Sequence, residues 1–169
     1  RYQEVTGVQT CALPICLLAD AAKKIGIKTV ILSDDINAPA KNFSNNFIYG
    51  NYDDQNIIDE FINSVDLVTY EFENIPFSIL KKIDEKKTVL PKPEVNNLIQ
   101  NRLTEKDFLN KINIQTTRYT SINNINEIKE NKNLIPGLLK TTTLGYDGKG
   151  QYKINKFEDL NNNIDFNKN

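Results

Sequence analysis

The chain has 169 residues, with 21 lysines and arginines against 22 aspartates and glutamates, so its formal charge is −1 at pH 7. This balance offers no basic field for nucleic acid, and no apolar run approaches the roughly 20 residues that a membrane span needs. The chain contains no histidine, which excludes Ser-His-Asp triads and histidine metal sites within it, and we expect no metal site here. Nothing resembles a cleaved signal peptide, so the expected compartment is the cytoplasm.

The first fifteen residues differ in character from the rest of the chain. The stretch from Val5 to Ile15 resembles the in-frame translation of a common sequencing-adapter oligonucleotide, and the alternative is a genuine coil or strand leader. No glycine-rich turn precedes Leu17. We therefore expect residues 1–15 to be a non-native leader that does not supply the first strand and turn of the native sheet, and we assign them no function.

Residues 16–97 alternate between helical and strand-like patterns. Apolar residues at helical spacing from Leu17 to Ile25 predict a first helix, and Gly26 is typical of the position after a helix end. Strands and helices then alternate, which predicts βαβ units and a parallel sheet in an α/β domain. The further predicted strands are Lys28–Leu32, Phe47–Tyr49, Asp66–Tyr70 and Thr88–Leu90, and the further helices are Ile57–Ile62 and Pro76 to about Ile83.

The pattern changes after residue 97. Short strand-like pieces replace the regular alternation, so residues 98–169 are expected to form a second, α+β unit that the chain does not complete. The tail from Asn161 is polar and low in complexity. The predicted elements are a mostly helical stretch Leu98–Ile112 with Thr104 as N-cap, strands at Thr117–Thr120, Leu134–Lys140 and Gln151–Ile154, the last pairing back antiparallel, and a helix start at Phe157–Leu160.

A glycine-rich loop joins two of these strands. Gly145, Gly148 and Gly150 alternate with polar residues, and glycine lets a backbone approach a ligand closely. Free N–H groups of such a loop can hold phosphate oxygens, with Lys149 adding charge. No helix follows directly, so the loop is neither a Walker A motif nor a Rossmann fingerprint. A solvated hairpin turn fits the spacing equally well.

Three further side chains are candidates on their residue type and position. The guanidinium of Arg102 suits a phosphate or a purine, although a surface arginine on a helix is the simpler alternative. Glu71 and Glu73 are spaced i, i+2 and would face the same side of one strand, unless the strand ends between them. The carboxyl ends of parallel strands form a ligand crevice, but solvated edge carboxylates fit the pattern too.

Motifs along nearly all of residues 16–155 resemble the N5-carboxyaminoimidazole ribonucleotide synthetase family of ATP-grasp ligases. The loop Gly145–Gln151, GYDGKGQ, is similar to the family's phosphate-covering loop, and Lys140 to its ATP-phosphate lysine. Asn51 stands where an acidic residue is commoner in the family. The other matching segments are Ala21–Ile27, Asn51–Asp54, Thr69–Pro76 (TYEFENIP), Pro91–Glu94, Gln100–Lys106 and Phe108–Leu109.

The resemblance implies a fold and a set of site residues. The fold is a parallel-sheet, Rossmann-like preATP-grasp domain followed by the start of an ATP-grasp domain. Glu73 is implied to contact the aminoimidazole substrate together with Tyr146 and Asp147, where Tyr146 stacks on the ring and Asp147 accepts a hydrogen bond from the amine. The implied nucleotide-binding residues are Arg102, Lys140, Gly145, Tyr146, Asp147, Gly148, Lys149, Gly150 and Gln151.

The resemblance also implies a reaction. Bicarbonate and ATP form carboxyphosphate and ADP. Carboxyphosphate, or CO2 released from it, then carboxylates the amine of 5-aminoimidazole ribonucleotide to give N5-carboxyaminoimidazole ribonucleotide in purine synthesis. The implied cofactors are ATP and Mg2+, with the metal ligands expected downstream of Asn169. The implied partners are these small molecules and, at full length, a second copy in a homodimer. We expect these 169 residues alone not to turn over ATP.

Two alternatives come from different classes. Another ATP-grasp ligase, such as the formate-dependent glycinamide ribonucleotide transformylase or biotin carboxylase, would have a loop closer to SSSGKGQ or GGGGRGM. Gly145-Tyr146-Asp147 and the segment Tyr70–Asn74 argue against both. The other alternative is an inactive nucleotide-binding fragment, which an ATP turnover assay would distinguish.

Overall fold

The computed structural model describes residues 3–7, 12–143 and 150–160. These fall into two compact units, Arg1–Asn97 and Leu98–Asn169. In the first unit, strands and helices alternate as the sequence predicts. Its elements are β1 (Gln3–Gly7), α1 (Ala12–Lys24), β2 (Lys28–Ser33), a 3-10 turn (Pro39–Asn42), β3 (Asn46–Tyr49), α2 (Gln55–Asn63), β4 (Leu67–Tyr70), α3 (Phe77–Asp84), β5 (Thr88–Leu90) and α4 (Pro93–Ile99), which continues into the second unit.

The first unit is built on a five-stranded sheet of order β3-β2-β1-β4-β5. Every neighbouring pair is parallel, with registers such as Val5 opposite Val30 and Val68. The predicted α/β fold with a parallel sheet is confirmed. Parallel strands need crossover connections; α1, α2 and α3 provide three of them, and the connection from β2 to β3 contains the 3-10 turn Pro39–Asn42.

The N-terminal strand corrects one prediction. The sequence led us to expect that residues 1–15 would not supply the first strand of the native sheet, yet Gln3–Gly7 occupies the centre of the sheet between β2 and β4. Ladder pairing uses backbone groups, and Val5 and Thr6 favour extended backbone, so this segment satisfies the position whatever its origin. Helix α1 likewise begins at Ala12, and Ile15 is fully buried. The non-native origin of residues 1–15 stays a prediction.

Two apolar clusters cover the two faces of the sheet. The larger one packs α2 and α3 against the strands, with Phe61, Val68 and Val89 at its centre and almost inaccessible to solvent. The smaller one joins Ile15 of α1 to Ile31 of β2. The end of α1 agrees with the sequence, because Gly26, just after it, has a φ of +79°, a backbone conformation that glycine adopts readily.

The second unit combines two helices with a hairpin. Its elements are α5 (Arg102–Lys111), α6 (Ile125–Glu130), a 3-10 turn (Lys132–Leu134), β6 (Gly137–Lys140), β7 (Gln151–Ile154) and a 3-10 turn (Phe157–Asp159). Strands β6 and β7 are antiparallel, and Lys140 pairs with Gln151 next to the glycine-rich loop. The predicted antiparallel return of Gln151–Ile154 is confirmed. Over the described residues, no helix is long and apolar enough to cross a membrane.

Several predicted boundaries in the second unit are wrong. The stretch Leu98–Ile112 breaks before Arg102, because the Asn101 side chain caps α5 by accepting from the backbone N–H groups of Leu103 and Thr104 at 2.9 and 3.4 Å. Asn101 is therefore the N-cap, and Thr104 is not. The segment Thr117–Thr120 forms no strand, since side chains of α5 hold it instead. Helix α6 was not predicted, and Leu134 and Phe157 lie in single 3-10 turns.

Candidate functional site

A cleft of about 730 Å³ opens in the second unit between β6, the first turn of α5 and residues 117–122. Leu139 and Ile154 contribute apolar surface to it. No aspartate or glutamate is found among the described residues that line the cleft, so this part of the lining is positively charged. An apolar cleft with this charge suits a flat ring that carries anionic groups. The four cationic side chains are Arg102, Lys106, Arg118 and Lys140.

Two side chains that the sequence marks for nucleotide binding meet in this cleft. Arg102 is the first residue of α5, placed there by the Asn101 cap. Its backbone N–H donates to the carbonyl oxygen of Thr142 at 2.9 Å, which joins the start of α5 to the chain leaving β6. Lys140 is the last residue of β6. The structure thus brings Arg102 and Lys140 to one surface, although 38 positions separate them in sequence.

One wall of the cleft is held by what we call the α5 clip, the contacts of Lys106, Asp107 and Asn110 with Thr117 and Tyr119. The ammonium of Lys106 donates to Thr117 Oγ1 at 2.9 Å and to its carbonyl oxygen at 3.3 Å. The same ammonium lies 4.9 Å from the centre of the Tyr119 ring. The clip uses much of the donor capacity of Lys106 to fix the wall.

The Tyr119 hydroxyl completes the clip. It donates to Asp107 Oδ1 at 2.5 Å and accepts from Asn110 Nδ2 at 3.2 Å. The hydrogen bond to the Asp107 carboxylate raises the pKa of Tyr119, because it favours the protonated hydroxyl. With Thr117 and Tyr119 fastened to α5, Arg118 between them is placed in the lining of the cleft.

The two sides of the glycine-rich loop are joined at its base. The Thr141 N–H donates to the carbonyl oxygen of Gly150 at 2.9 Å. Gly150 has a φ of +63°, and a Cβ there would lie 2.6 Å from Thr141 Oγ1. Glycine is required at this position for both reasons. Gly145, Tyr146, Asp147, Gly148 and Lys149 lie outside the described residues, so their roles stay predictions.

In the first unit, the two predicted acidic side chains are not on a strand. Strand β4 ends at Tyr70, and Glu71 and Glu73 lie in the connection to α3, both exposed. The prediction that one strand would hold them on one face is therefore wrong, because the strand ends before both. Glu73 still follows the carboxyl end of a parallel strand, which is where ligands of such sheets bind.

The donor set that a metal ion needs is not assembled in the described part of the chain. Within the described ranges, no group of three or more Cys, Asp or Glu side chains could hold a metal ion. We therefore assign magnesium to none of these residues.

Sequence reasoning missed two contributors to the cleft. Lys106 belongs to a motif that resembles the family, but the motif gave no reason to expect contact with Thr117. Arg118 lies in a segment predicted as a strand, where no residue spacing indicates a cleft. Both depend on side-chain contacts made across a turn, and such contacts leave no periodic pattern.

Comparison with known proteins assigns both units to known domain families. A model of the ribonucleotide synthetase preATP-grasp domain matches residues 15–100, and an ATP-grasp domain model matches residues 107–169. The N5-carboxyaminoimidazole ribonucleotide synthase of Brucella melitensis is 37% identical over 140 residues, covering 82% of this chain and 39% of that protein. This chain belongs to the N5-carboxyaminoimidazole ribonucleotide synthase family. Its fold is a preATP-grasp domain with part of an ATP-grasp domain.

Other members of the N5-carboxyaminoimidazole ribonucleotide synthase family agree. The synthase of Staphylococcus aureus strain COL is 34% identical over 146 residues, which cover 85% of this chain and 39% of that protein. The crystal structure of the Staphylococcus aureus synthetase complexed with ADP superposes with a TM-score of 0.84 at 31% identity, covering 94% of this chain and 43% of that one. The chain thus spans about two fifths of the relatives that it matches.

Proposed function

We propose that this chain carries the first part of the machinery that carboxylates 5-aminoimidazole ribonucleotide with bicarbonate and ATP. The observation that carries the proposal is the cleft on which Arg102 and Lys140 meet without a lining carboxylate among the described residues. Family membership supports it, as does the ADP complex of the Staphylococcus aureus relative. We further propose residues 16–97 as the preATP-grasp domain, and residues 98–169 as part of the ATP-grasp domain.

The cleft would hold the nucleotide through complementary surfaces. Lys140 and Lys149, with the amides of the glycine-rich loop, would neutralise the phosphates, and the planar guanidinium of Arg102 would add a third cation. Leu139 and Ile154 would cover the apolar faces of the purine. Gln151, paired with Lys140 at the mouth of the hairpin, would fix where the loop leaves the strand.

The proposed chemistry has two displacements. A bicarbonate oxygen attacks the γ-phosphorus of ATP, the bond to the β,γ-bridging oxygen breaks, and carboxyphosphate and ADP form. The exocyclic amine of the acceptor then attacks the carboxyl carbon, or CO2 released from carboxyphosphate, and phosphate and a proton leave. Phosphoryl transfer of this kind depends mostly on positioning and charge neutralisation, which cationic side chains and loop amides supply. Magnesium, when bound with ATP, would add further neutralisation.

The acceptor is assigned to three side chains. Tyr146 would stack on the imidazole, Asp147 would accept from its amine, and Glu73 would bind the same substrate from the preATP-grasp domain. Relatives with other acceptors have small residues in the loop, so Tyr146 and Asp147 are positions free to specify the acceptor. A homodimer at full length is proposed on family resemblance alone.

Acceptor dependence tests this proposal. Because the chain spans about two fifths of its relatives, the assay uses this chain extended to their length, called here the extended enzyme. We expect ADP release that requires bicarbonate and 5-aminoimidazole ribonucleotide together. Release with formate and glycinamide ribonucleotide instead would assign the transformylase reaction. The 169-residue chain is the matched control, and bicarbonate-dependent ADP release by it alone would contradict our expectation that these 169 residues do not turn over ATP.

A further inference from the structure

A fully buried asparagine lies beneath the loop that carries Glu73. Asn96, on α4, has no solvent exposure. Its Nδ2 donates to the carbonyl oxygen of Ile75 at 3.0 Å, and its Oδ1 has no partner among the described residues. Burying an amide with one side unsatisfied costs free energy, which an apolar side chain of similar size would avoid. The hydrogen bond to Ile75 is therefore the contribution that is specific to asparagine.

A second contact fastens the other end of the same loop. The Tyr70 hydroxyl donates to the carbonyl oxygen of Lys92 at 3.4 Å. Tyr70 and Ile75 flank residues 71–74, so both ends of this stretch are bonded to the segment from Lys92 to Asn96. The loop is thus held at two points, one through a tyrosine hydroxyl and one through a buried amide.

The anchors decide which side chains face outward. Phe72 packs against the core and Ile75 is buried, whereas Glu71 and Glu73 are exposed. A loop fixed at Tyr70 and Ile75 cannot rotate to exchange these faces without breaking a buried bond. The position of the backbone that carries Glu73 therefore depends on the bond that Asn96 makes to Ile75.

We propose that Asn96 is a positioning residue, which orders the loop of residues 71–75 and thereby sets where Glu73 meets the acceptor substrate. The part that concerns Glu73 rests on the proposed function, while the ordering of the loop does not. Asn96 acts through the Ile75 carbonyl and touches no substrate.

Replacing the amide by a carboxyl of the same shape gives a direct test. In Asn96→Asp, the ionised carboxylate cannot donate and would place oxygen against the Ile75 carbonyl oxygen. Once protonated, the introduced carboxyl can donate again, and burial raises the pKa of such a group. Loop order should therefore be lost at high pH and return towards low pH. Asn97→Asp is the matched control, because Asn97 is exposed and adjacent on α4.

The measurement is amide hydrogen exchange of residues 71–75 in the 169-residue chain, expressed as protection relative to unstructured peptide at each pH. We expect Asn96→Asp to lower protection about ten-fold at pH 8 and to recover it partly at pH 5. Wild type and Asn97→Asp, followed over the same range, account for any titration of Tyr70 or Glu94. Unchanged protection in a folded Asn96→Asp chain overturns the proposal. If that variant does not fold, Asn96→Ala removes the donor without adding charge, and the same loss of protection is expected.

Kinetics of the extended enzyme separate this inference from the proposed function. Asn96→Asp should raise the KM for 5-aminoimidazole ribonucleotide about five-fold or more at pH 8 and leave the KM for ATP unchanged. Glu73→Gln serves as the comparison. A normal acceptor KM in Asn96→Asp, beside a raised one in Glu73→Gln, overturns the positioning role. A loosened loop with normal acceptor kinetics in Glu73→Gln would instead retain the anchor and overturn the assignment of Glu73.

Discussion

The backbone N–H of Arg102 donates to the carbonyl oxygen of Thr142 at 2.9 Å. This bond joins the start of α5 to the residues that follow Lys140, so the guanidinium and the ammonium are held on the same cleft by backbone. Backbone bonds do not depend on the side chains that they position. Either cation can therefore be replaced with little effect on the cleft itself, which makes the two side chains suitable for testing nucleotide binding.

Replacing Lys140 tests the proposed nucleotide site. Lys140→Ala should weaken ADP binding by the 169-residue chain about ten-fold or more, because charge-assisted bonds to phosphate contribute about 1.5–3 kcal/mol. In the extended enzyme, the same change should raise the KM for ATP and lower kcat/KM. Calorimetry with ADP is the measurement, and Lys111→Ala is the control, since Lys111 is an exposed residue of α5 that is absent from the lining. Equal affinities in wild type and Lys140→Ala would show that Lys140 is a surface residue.

Replacing Lys106 tests the α5 clip. Lys106→Met keeps the aliphatic stem but removes the ammonium that bonds Thr117 and lies over the Tyr119 ring. We expect faster hydrogen exchange at residues 116–121 and an ADP affinity reduced several-fold, because the wall loses its fixed position while Lys140 keeps its charge. Tyr119→Phe removes the hydroxyl bond to Asp107 and should loosen the same residues. A normal exchange rate in Lys106→Met combined with much weaker ADP binding would identify Lys106 as a direct phosphate ligand instead.

Acid stability tests a contact at the start of β5. The Asp84 carboxylate accepts from Lys92 Nζ at 2.8 Å and from the Val89 N–H at 2.9 Å, and these bonds, that from Lys92 first, lower the pKa of Asp84. A lowered folded-state pKa means that this stabilisation is complete above the unfolded pKa of about 3.9 and is lost as pH falls through the folded value.

We expect Asp84→Asn to destabilise the first unit at neutral pH, where the wild-type carboxylate is ionised. It should reduce the free energy of unfolding of the first unit by about 1–2 kcal/mol at pH 7, since Lys92 is half exposed and its ion pair is partly screened. The difference from wild type should shrink as pH falls from the unfolded pKa of about 3.9 through the lowered folded pKa of Asp84, below which both proteins carry a neutral side chain at this position. Urea unfolding at a series of pH values measures this, with Glu85→Gln as an exposed neighbouring control. A difference that stays constant down to pH 2 would show that the lost bonds are not charge-dependent.

More of the first unit than of the second could be predicted from the sequence. Regular alternation predicted the parallel sheet, because it reflects burial of whole faces, and Gly26 predicted the end of α1, because glycine takes the left-handed backbone found there. Asn101 escaped prediction since Leu98–Ile112 is continuously helical in pattern, and only the geometry of the cap shows where the helix breaks. The wall at Thr117–Tyr119 resembles a strand in composition, but side chains of α5 determine its course. The site residues themselves came from family resemblance, since spacing alone left Arg102 and the glycine-rich loop undecided.

The last prediction separates acceptor recognition from nucleotide binding. Asp147, which lies outside the described residues, follows Tyr146 in a loop whose glycines and Lys149 are general phosphate-binding chemistry. Asp147→Asn keeps the size of the side chain but removes the charge that would orient the acceptor amine. In the extended enzyme, we expect kcat/KM for 5-aminoimidazole ribonucleotide to fall by about 1–3 kcal/mol in transition-state terms, with the ADP dissociation constant nearly unchanged. Lys149→Ala is the contrasting variant, because we expect it to weaken ADP binding more than it affects acceptor recognition. If Asp147→Asn abolished ADP binding and left the acceptor's apparent affinity intact, Asp147 would belong to the nucleotide site, and acceptor identity would have to be specified elsewhere.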